Sequence, residues 1–174
     1  MLPIILALVF ISIIFIVVIA GRPDEFTVTR AANITALPEK IFPHVNDLHR
    51  WEAWSPWAKL DPNAKSIFSG ADPGAGATMA WDGNKKFGAG KMTITESCPG
   101  EFVRLRLDFL RPMKATNTAE FKFRTKGNQT VVTWSMAGKN NLMGKIFSLF
   151  MDCDKMIGGQ FERGLASLKF VAEK

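Results

Sequence analysis

Chemically reactive side chains are scarce in this chain of 174 residues. It has two cysteines, two histidines and no tyrosine. Cys98 and Cys153 are too few for a disulfide framework or a four-thiolate zinc site, and His44 and His49 are too few for a histidine-rich metal centre. The dinucleotide-binding fingerprint, the GK[ST] phosphate loop, the HExxH helix and the G-x-S-x-G elbow are also missing. We therefore expect no common catalytic constellation, no metal and no cofactor.

Charge is absent from the first 21 positions. All 22 Lys and Arg and all 16 Asp and Glu lie in residues 22–174. As a helix, Leu2–Ala20 would span roughly 28 Å, close to the hydrocarbon thickness of a bilayer. The sequence predicts a transmembrane anchor over residues 1–21, with membrane contact through residues 2–20. The alternative is a cleaved signal peptide, although no basic residue precedes the apolar run.

Basic residues set the expected orientation and partners. Arg22, Arg30 and Lys40 follow the apolar run, which favours a single-pass protein with its soluble domain in the cytoplasm. The net charge of +6 invites a nucleic-acid interpretation. The basic residues are scattered, however, so we expect no nucleic-acid partner; attraction to an anionic lipid surface fits a tethered domain better. Protein partners stay open.

Residues 22–174 are predicted to form one soluble domain rich in strands. The clearest alternation lies in Phe102–Leu110, where Val103 and Leu105 point one way and Arg104 and Arg106 the other. The predicted strands are 26–34, 65–69, 77–81, 88–96, 102–110, 120–125 and 130–136, and short helices are predicted after Leu37 and over 47–54. Such alternation implies an antiparallel sheet with one covered side.

Near the C-terminus, apolar residues recur every three or four positions. This stripe predicts one helix of about seven turns, from near Asn141 to near Phe170. Gly158 and Gly159 interrupt it at a cost of about 1 kcal/mol each relative to Ala, so we expect a kink there, or a close approach to the sheet or a ligand. The element order predicts an α+β fold in which a curved antiparallel sheet wraps around a long C-terminal helix and leaves a cavity.

A set of residues spread through this order carries a family resemblance. The residues are Trp51-Glu52-Ala53-Trp54-Ser55-Pro56-Trp57, Asp61-Pro62, Gly74, Gly76, Ala77, Trp81-Asp82-Gly83-Asn84, Gly88, Gly90, Met151, Asp154-Lys155-Met156-Ile157-Gly158 and Phe161-Glu162-Arg163-Gly164-Leu165. From about residue 26 to 170 the chain resembles the START-like superfamily, also called SRPBCC or Bet v 1-like helix-grip proteins. Within it, the chain looks like the bacterial polyketide cyclase/dehydrase and lipid transport branch. The resemblance implies the helix-grip fold and a hydrophobic ligand, without a shared catalytic motif.

Ten apolar side chains are the candidates for lining a pocket. They are Trp51, Trp54, Trp57, Trp81, Phe109, Phe121, Trp134, Met136, Met156 and Phe161. The first three are spaced by three, and they either plug the open end of the sheet as core residues or line a pocket entrance. An interior with 14 Phe, 8 Met and no Tyr offers few hydroxyl groups, so shape and apolar contact would set specificity.

The ionisable candidates support an enzyme only weakly. Arg104, Arg106 and Asp108 either form a solvated outer face or place an anchor for a ligand carboxylate or phosphate in the cavity. The favoured hypothesis is a membrane-anchored protein that binds a hydrophobic small molecule or lipid between sheet and C-terminal helix. One alternative is a cyclase or dehydratase that would use Arg104, Asp108 or His49. The other is a protein-interaction module without a ligand.

Overall fold

The computed structural model describes residues 2–58, 61, 63–85, 87–150 and 152–174. Its strands are β1 Glu25–Ile34, β2 Lys65–Ser69, β3 Thr78–Asp82, β4 Ala89–Cys98, β5 Phe102–Arg111, β6 Ala115–Lys126 and β7 Gln129–Lys139. Its helices are α1 Leu2–Ala20, α2 Pro38–Asn46, the 3-10 helix Leu48–Ala53, α3 Leu142–Phe150 and α4 Cys153–Ala172. Pro62 and Met151, two residues of the family resemblance, lie outside the described residues.

The strands form one antiparallel sheet in the order β1-β7-β6-β5-β4-β3-β2. Strands β2 to β7 follow one another as hairpins, and all of their turns except the β5–β6 turn contain glycine. Strand β1 comes first in the chain and pairs with the last strand, from Glu25 opposite Lys139 to Ile34 opposite Thr130. The predicted α+β architecture, an antiparallel sheet with a C-terminal helix, is confirmed. Strand β6, however, begins at Ala115 rather than at 120.

The inner face of the sheet carries the core. Val103 and Leu105 on β5 are fully buried there, while the alternating Arg104 and Arg106 lie on the outer face, as a period of two requires. Helix α4 covers the inner face next to β1 with a stripe whose members are almost completely buried: Phe161, Leu165 and Leu168. Helix α2 adds Ile41 and Val45 to the same core.

The C-terminal segment contains two helices, so the prediction of one continuous helix from about 141 to 170 is wrong. Helix α3 begins where the Asn141 side chain accepts the N–H of Gly144 at 2.8 Å. Helix α4 begins after Asp152, whose backbone is extended and whose carboxylate accepts the N–H of Lys155 at 3.1 Å. Such a cap replaces the carbonyl groups that a preceding helical turn would supply.

Helix α1 is long and apolar enough to cross a membrane, judged by length and composition. Residues Pro3–Ala20 have a mean hydropathy of 3.2, and 6% of this window is buried inside the protein. The core helix of a soluble protein would be mostly buried, whereas the side chains of residues 4–18 are exposed. A signal sequence near the N-terminus passes the same test of length and composition.

Candidate ligand site on the inner face

Six aromatic side chains form one cluster between the 3-10 helix, the sheet and α4. This aromatic cluster consists of Trp51, Trp54, Trp57, Phe121, Trp134 and Phe161. Trp134 on β7 lies at its centre, stacked on Phe161 with ring centroids 4.1 Å apart and on Phe121 with centroids 4.6 Å apart. The cluster fills the part of the inner face that α4 covers.

The tryptophans of the 3-10 helix are anchored by hydrogen bonds as well as by packing. The indole N–H of Trp51 donates to the Val45 carbonyl and that of Trp54 to the His44 carbonyl, each at 2.9 Å. Both side chains are buried, whereas Trp57 is half-buried. Because a buried indole N–H needs an acceptor, these bonds fix the two rings against α2. Their burial agrees with the core interpretation of the tryptophan segment.

Trp134 carries a buried polar atom that the packing leaves unsatisfied. Among the described residues, its Nε1–H has no hydrogen-bond partner. Three other indole rings meet the Trp134 ring edge to face, with centroids 5.5 to 6.4 Å from its centroid: those of Trp51, Trp54 and Trp57. An unpaired buried donor costs about 1–3 kcal/mol, which the stacking on both faces of the ring must offset.

Part of the inner face lies beyond α4. Helix α4 follows β1 from Arg30, which contacts Asp154, to Thr35, whose N–H bonds Glu173. The row next to Arg30, which contains Val28, Met136 and Leu105, is buried, and the two rows beyond it form what we call the open groove. Its members are Phe26, Asn117, Leu107, Met92 and Met79 in one row and Trp81 and Phe109 in the next.

The open groove is apolar and incompletely buried. Trp81 and Phe109 meet edge to face with ring centroids 5.9 Å apart, and both are half-buried, as are Met79 and Leu107. Gly90 lies between them on β4, where a Cβ atom would overlap the Trp81 indole. The glycine therefore lets the indole lie flat across the strand, and the groove floor is built from large, partly solvent-accessible apolar side chains.

Asn117 places one amide in this apolar floor. Its side chain is 8% exposed, and its Nδ2 lies 3.8 Å from the sulfur of Met136, a weak acceptor. Its Oδ1 lies against Gly138, where a Cβ atom would collide with it. A few placed polar groups in an apolar pocket commonly orient a ligand. The sequence prediction missed Asn117 because it began β6 at 120; extending the alternation back from Phe121 would have found it.

Arg30 ties β1 to α4 and was also missed from the sequence. Its Nε donates to Glu162 Oε1 at 2.7 Å and its Nη2 to Asp154 Oδ2 at 2.9 Å. The guanidinium lies over Gly158, where a Cβ atom would overlap it. These hydrogen bonds raise the pKa of Arg30 and hold the pKa of Asp154 below its usual value. The close approach to the sheet expected at Gly158 is confirmed.

The ionisable side chains of β5 lie on the outer face. Arg104 pairs with Glu96 at 2.6 Å and with Glu120 at 2.8 Å, and Arg106 pairs with Asp108 at 3.0 Å. Burial raises the pKa of Glu120, but hydrogen bonds from Lys122 and Arg104 outweigh it and leave that pKa lowered. Of the two sequence interpretations, the outer face is the one the structure shows.

His49 belongs to a cluster at the β2 edge of the sheet, beside Phe68, the β2 partner of Met79. Its Nδ1 lies 3.3 Å from a carboxylate oxygen of Asp47 and 3.3 Å from one of Asp72, and its ring stacks on Phe68. The three ligand atoms lie within 4.8 Å of one another, close enough to hold a metal ion. The Asp47 carboxylate already accepts hydrogen bonds from the His49 N–H and from Arg50. The cluster borders a surface cavity of about 210 Å³.

The remaining sequence candidates are placed separately. Met136 is buried on the inner face opposite Val28, next to the open groove. Met156 is 47% exposed on the first turn of α4. The side chain of Cys153, expected to be buried, is not among those described. The ten predicted pocket residues therefore divide between the aromatic cluster, the open groove with Met136, and one surface position.

Comparison with known proteins connects the fold to one family. Residues 25–173 match the family described as "Polyketide cyclase / dehydrase and lipid transport". A search of curated protein sequences found no match.

Solved structures share the fold at low sequence identity. Protein CV1439 from Chromobacterium violaceum has a TM-score of 0.61 at 13% identity, covering 88% of this chain and 99% of its own. Aha1 from Colwellia psychrerythraea, solved as a dimer, has a TM-score of 0.60 at 21% identity, covering 85% and 96%. The di-domain ARO/CYC BexL from the BE-7585A biosynthetic pathway has a TM-score of 0.63 at 12% identity, covering 91% of this chain and 53% of its own. At such identities the likeness shows the fold.

Proposed function

The chain belongs to the polyketide cyclase/dehydrase and lipid transport family, and we propose that it is a membrane-anchored protein that binds one hydrophobic small molecule or lipid in the open groove. The family and its fold are those of hydrophobic-ligand binding or cyclase proteins. The observation that supports binding here is the half-buried apolar floor beyond α4, where Trp81, Phe109, Leu107 and Met79 are partly accessible.

The chemistry of the groove suits an apolar ligand with a single polar group. Covering exposed apolar surface contributes about 25 cal/mol for each Å² removed from water. Trp81, Phe109 and Met136 would contact the apolar part of the ligand, and the Asn117 amide would bond its polar group. The aromatic cluster would form the closed end of the site, beneath α4, with Met156 at the surface nearby.

Residues 1–21 would anchor the domain formed by residues 22–174. We propose a single-pass protein whose domain lies in the cytoplasm, because Arg22, Arg30 and Lys40 follow the span. A groove held beside a bilayer has direct access to lipid-soluble molecules. The cyclase or dehydratase alternative draws no support from Arg104 and Asp108, which are paired on the outer face of the sheet. His49 lies at the β2 edge beside the groove, with its ring nitrogen against the carboxylates of Asp47 and Asp72.

The test is native mass spectrometry of the full chain, purified from its own host in mild detergent, with organic extraction of bound molecules. We expect a discrete small-molecule adduct on the unmodified chain and its loss in Trp81→Ala and Phe109→Ala. The matched control is Phe170→Ala, because Phe170 is 64% exposed on α4 and its removal should leave the adduct intact.

Asn117→Leu tests the polar contact. It keeps the size of the side chain and removes the amide, so affinity for the extracted molecule should fall by about three- to tenfold, the value of one net hydrogen bond. An unmodified chain that stays free of adduct after incubation with the host lipid extract would overturn the proposal. So would Trp81 and Phe109 variants that bind as tightly as the Phe170 control.

A further inference from the structure

We propose that one end of the sheet docks onto an anionic lipid surface, so that the open groove faces the bilayer. This inference rests on the membrane tether of the proposed function. The docking end consists of four segments: the linker region 20–25, the β3–β4 turn 82–88, the β5–β6 turn 110–115 around Met113, and the end of β7 with the beginning of α3, 139–146.

The topology brings these segments together. Glu25 at the start of β1 pairs with Lys139 at the end of β7, so the linker from α1 and the start of α3 lie at the same end of the sheet. Strand β5 turns into β6 at this end, and β3 turns into β4 beside it, where Gly88 lies against the Arg111 backbone. The apolar helix therefore joins the domain at the end where the open groove lies.

The linker holds this end close to α1. Only residues 21–24 separate α1 from β1, a distance of at most about 14 Å when fully extended. The backbone N–H of Asn140 donates to the Asp24 carbonyl at 2.7 Å, and its side chain donates to the Pro23 carbonyl at 3.1 Å. Lys145 on α3 pairs with the Asp24 carboxylate. Because Gly21 and Arg22 bond back to α1 while Pro23 and Asp24 are bonded to the start of α3, the flexible joint between span and domain is short.

Four large apolar side chains project from the docking end. Leu110 is 55% exposed, Met113 44%, Leu142 64% and Met143 58%. They belong to two separate segments, the end of β5 with its turn into β6 and the first turn of α3. The corresponding β6–β7 turn at the other end, Gly127–Asn128, has no apolar side chain of this size. Such side chains on a rim beside a membrane span suit insertion at the lipid interface.

The charge of the docking end complements an anionic lipid. Within segments 20–25, 82–88, 110–115 and 139–146, the described residues include six Lys or Arg and three Asp or Glu. Asp24 and Asp82 are already paired, with Lys145 and Arg111, while Lys114 and Lys139 are exposed. Basic residues beside exposed apolar ones are the pattern of a surface that binds anionic headgroups.

Docking in this way gives the groove a lipid-facing mouth. Trp81 and Phe109 form the last inner row of the sheet before the turns of the docking end. A hydrophobic molecule that leaves the bilayer beside Met113 or Leu142 would reach these two rings without crossing open water. The occupant of the docking surface is therefore the host bilayer itself.

The test uses the full chain in lipid nanodiscs of phosphatidylcholine with or without phosphatidylglycerol. In a Cys98→Ser, Cys153→Ala background, a fluorescent label is placed at Met113→Cys or, as the matched control in the opposite turn, at Asn128→Cys. We expect spin-labelled lipid to quench the label at position 113 in anionic discs and aqueous iodide to quench the label at position 128. Equal iodide quenching at the two positions would overturn the proposal, and so would equal lipid quenching.

Charge reversal supplies a second readout. In the double variant Lys114→Glu with Lys139→Glu, the label at position 113 should be quenched less by lipid and more by iodide. The ratio of lipid-facing to water-facing states should fall by at least about fivefold, because each basic residue near an anionic surface contributes about 1 kcal/mol. Arg124→Glu with Lys126→Glu, at the far end, should change nothing; an equal shift in both pairs would contradict docking. Adduct measurement in detergent, without a bilayer, separates loss of docking from loss of ligand binding.

Discussion

Arg30 lies on the inner face of β1, opposite Trp134, where alternation along the strand would otherwise place an apolar side chain. A cation there is tolerated because α4 brings Asp154 and Glu162 to it. These partners are 124 and 132 positions away in the chain, so no local pattern predicts the contact. The sequence did indicate a close approach at Gly158, because a glycine inside a helix lowers its stability and is expected where another group, here the Arg30 guanidinium, packs against the helix.

At this scale we predict an acid-sensitive helix contact. The lowered pKa of Asp154 means that its bond with Arg30 stabilises the fold above the ordinary carboxyl value of 3.8 and that this contribution is lost as the pH falls through the lowered value. Asp154→Asn should therefore unfold at lower urea than the unmodified chain at neutral pH, and the difference should close in acid. Tryptophan fluorescence of the full chain in detergent reports the transition.

The matched control for this prediction is Glu52→Gln, which alters an exposed carboxylate on the 3-10 helix. It should leave the urea midpoint unchanged at every pH. A stability difference for Asp154→Asn that stays constant from neutral to acid pH would show that the ion pair is not its cause.

At the scale of helices and strands, the spacing of apolar residues predicted which elements form better than where each one begins. All seven strands were predicted; the signal was strongest in β6 and β7, whose burial alternates along the strand, whereas the exposed strand β2 shows no such alternation. The start of β6 was missed where Ala115 and Thr116 carry small side chains that blur the alternation. The break between α3 and α4 was missed because the apolar stripe runs through both helices. The break is marked by Asp152, the N-cap residue of α4, but the spacing of apolar residues takes no account of cap residues.

At the scale of the helix, the paired glycines of α4 should respond differently to substitution. A Cβ atom at Gly159 meets no atom within 4 Å, whereas one at Gly158 overlaps the Arg30 guanidinium. Gly159→Ala should stabilise the protein by up to about 1 kcal/mol through helix propensity. Gly158→Ala gains the same propensity but displaces Arg30, so its net effect should be smaller or negative. Equal gains in urea midpoint would contradict the contact.

At the scale of the whole molecule, the fold followed from element order and from the family resemblance, whereas the division of the inner face did not. Helix α4 covers only the rows beside the second half of β1, from Arg30 to Thr35. That boundary depends on where α4 starts and on how it lies across the sheet. Both are set by contacts between distant residues, so the candidate pocket set mixed the aromatic cluster with the groove.

The anchor is testable with two substitutions in α1. Leu8→Lys with Ile13→Lys places two charges in the span, each costing about 2.5–3.5 kcal/mol, against roughly 5 kcal/mol that its apolar residues supply. The variant should leave the membrane fraction, while Leu8→Ala with Ile13→Ala should stay in it. An unmodified chain whose intact mass lacks the first 20 residues would instead establish a cleaved signal.

The pairing of the first strand with the last has a consequence for biosynthesis. Strand β1 leaves the ribosome on the order of 100 residues before β7, its neighbour in the sheet, so this is the most non-local strand pairing in the sheet. At about 5–20 residues per second, β1 waits several seconds with both edges open. The meander of β2 to β6 forms in the meantime from neighbouring hairpins. The nascent chain is thus most exposed to misassociation at its first strand, until synthesis of residue 139 lets the sheet close.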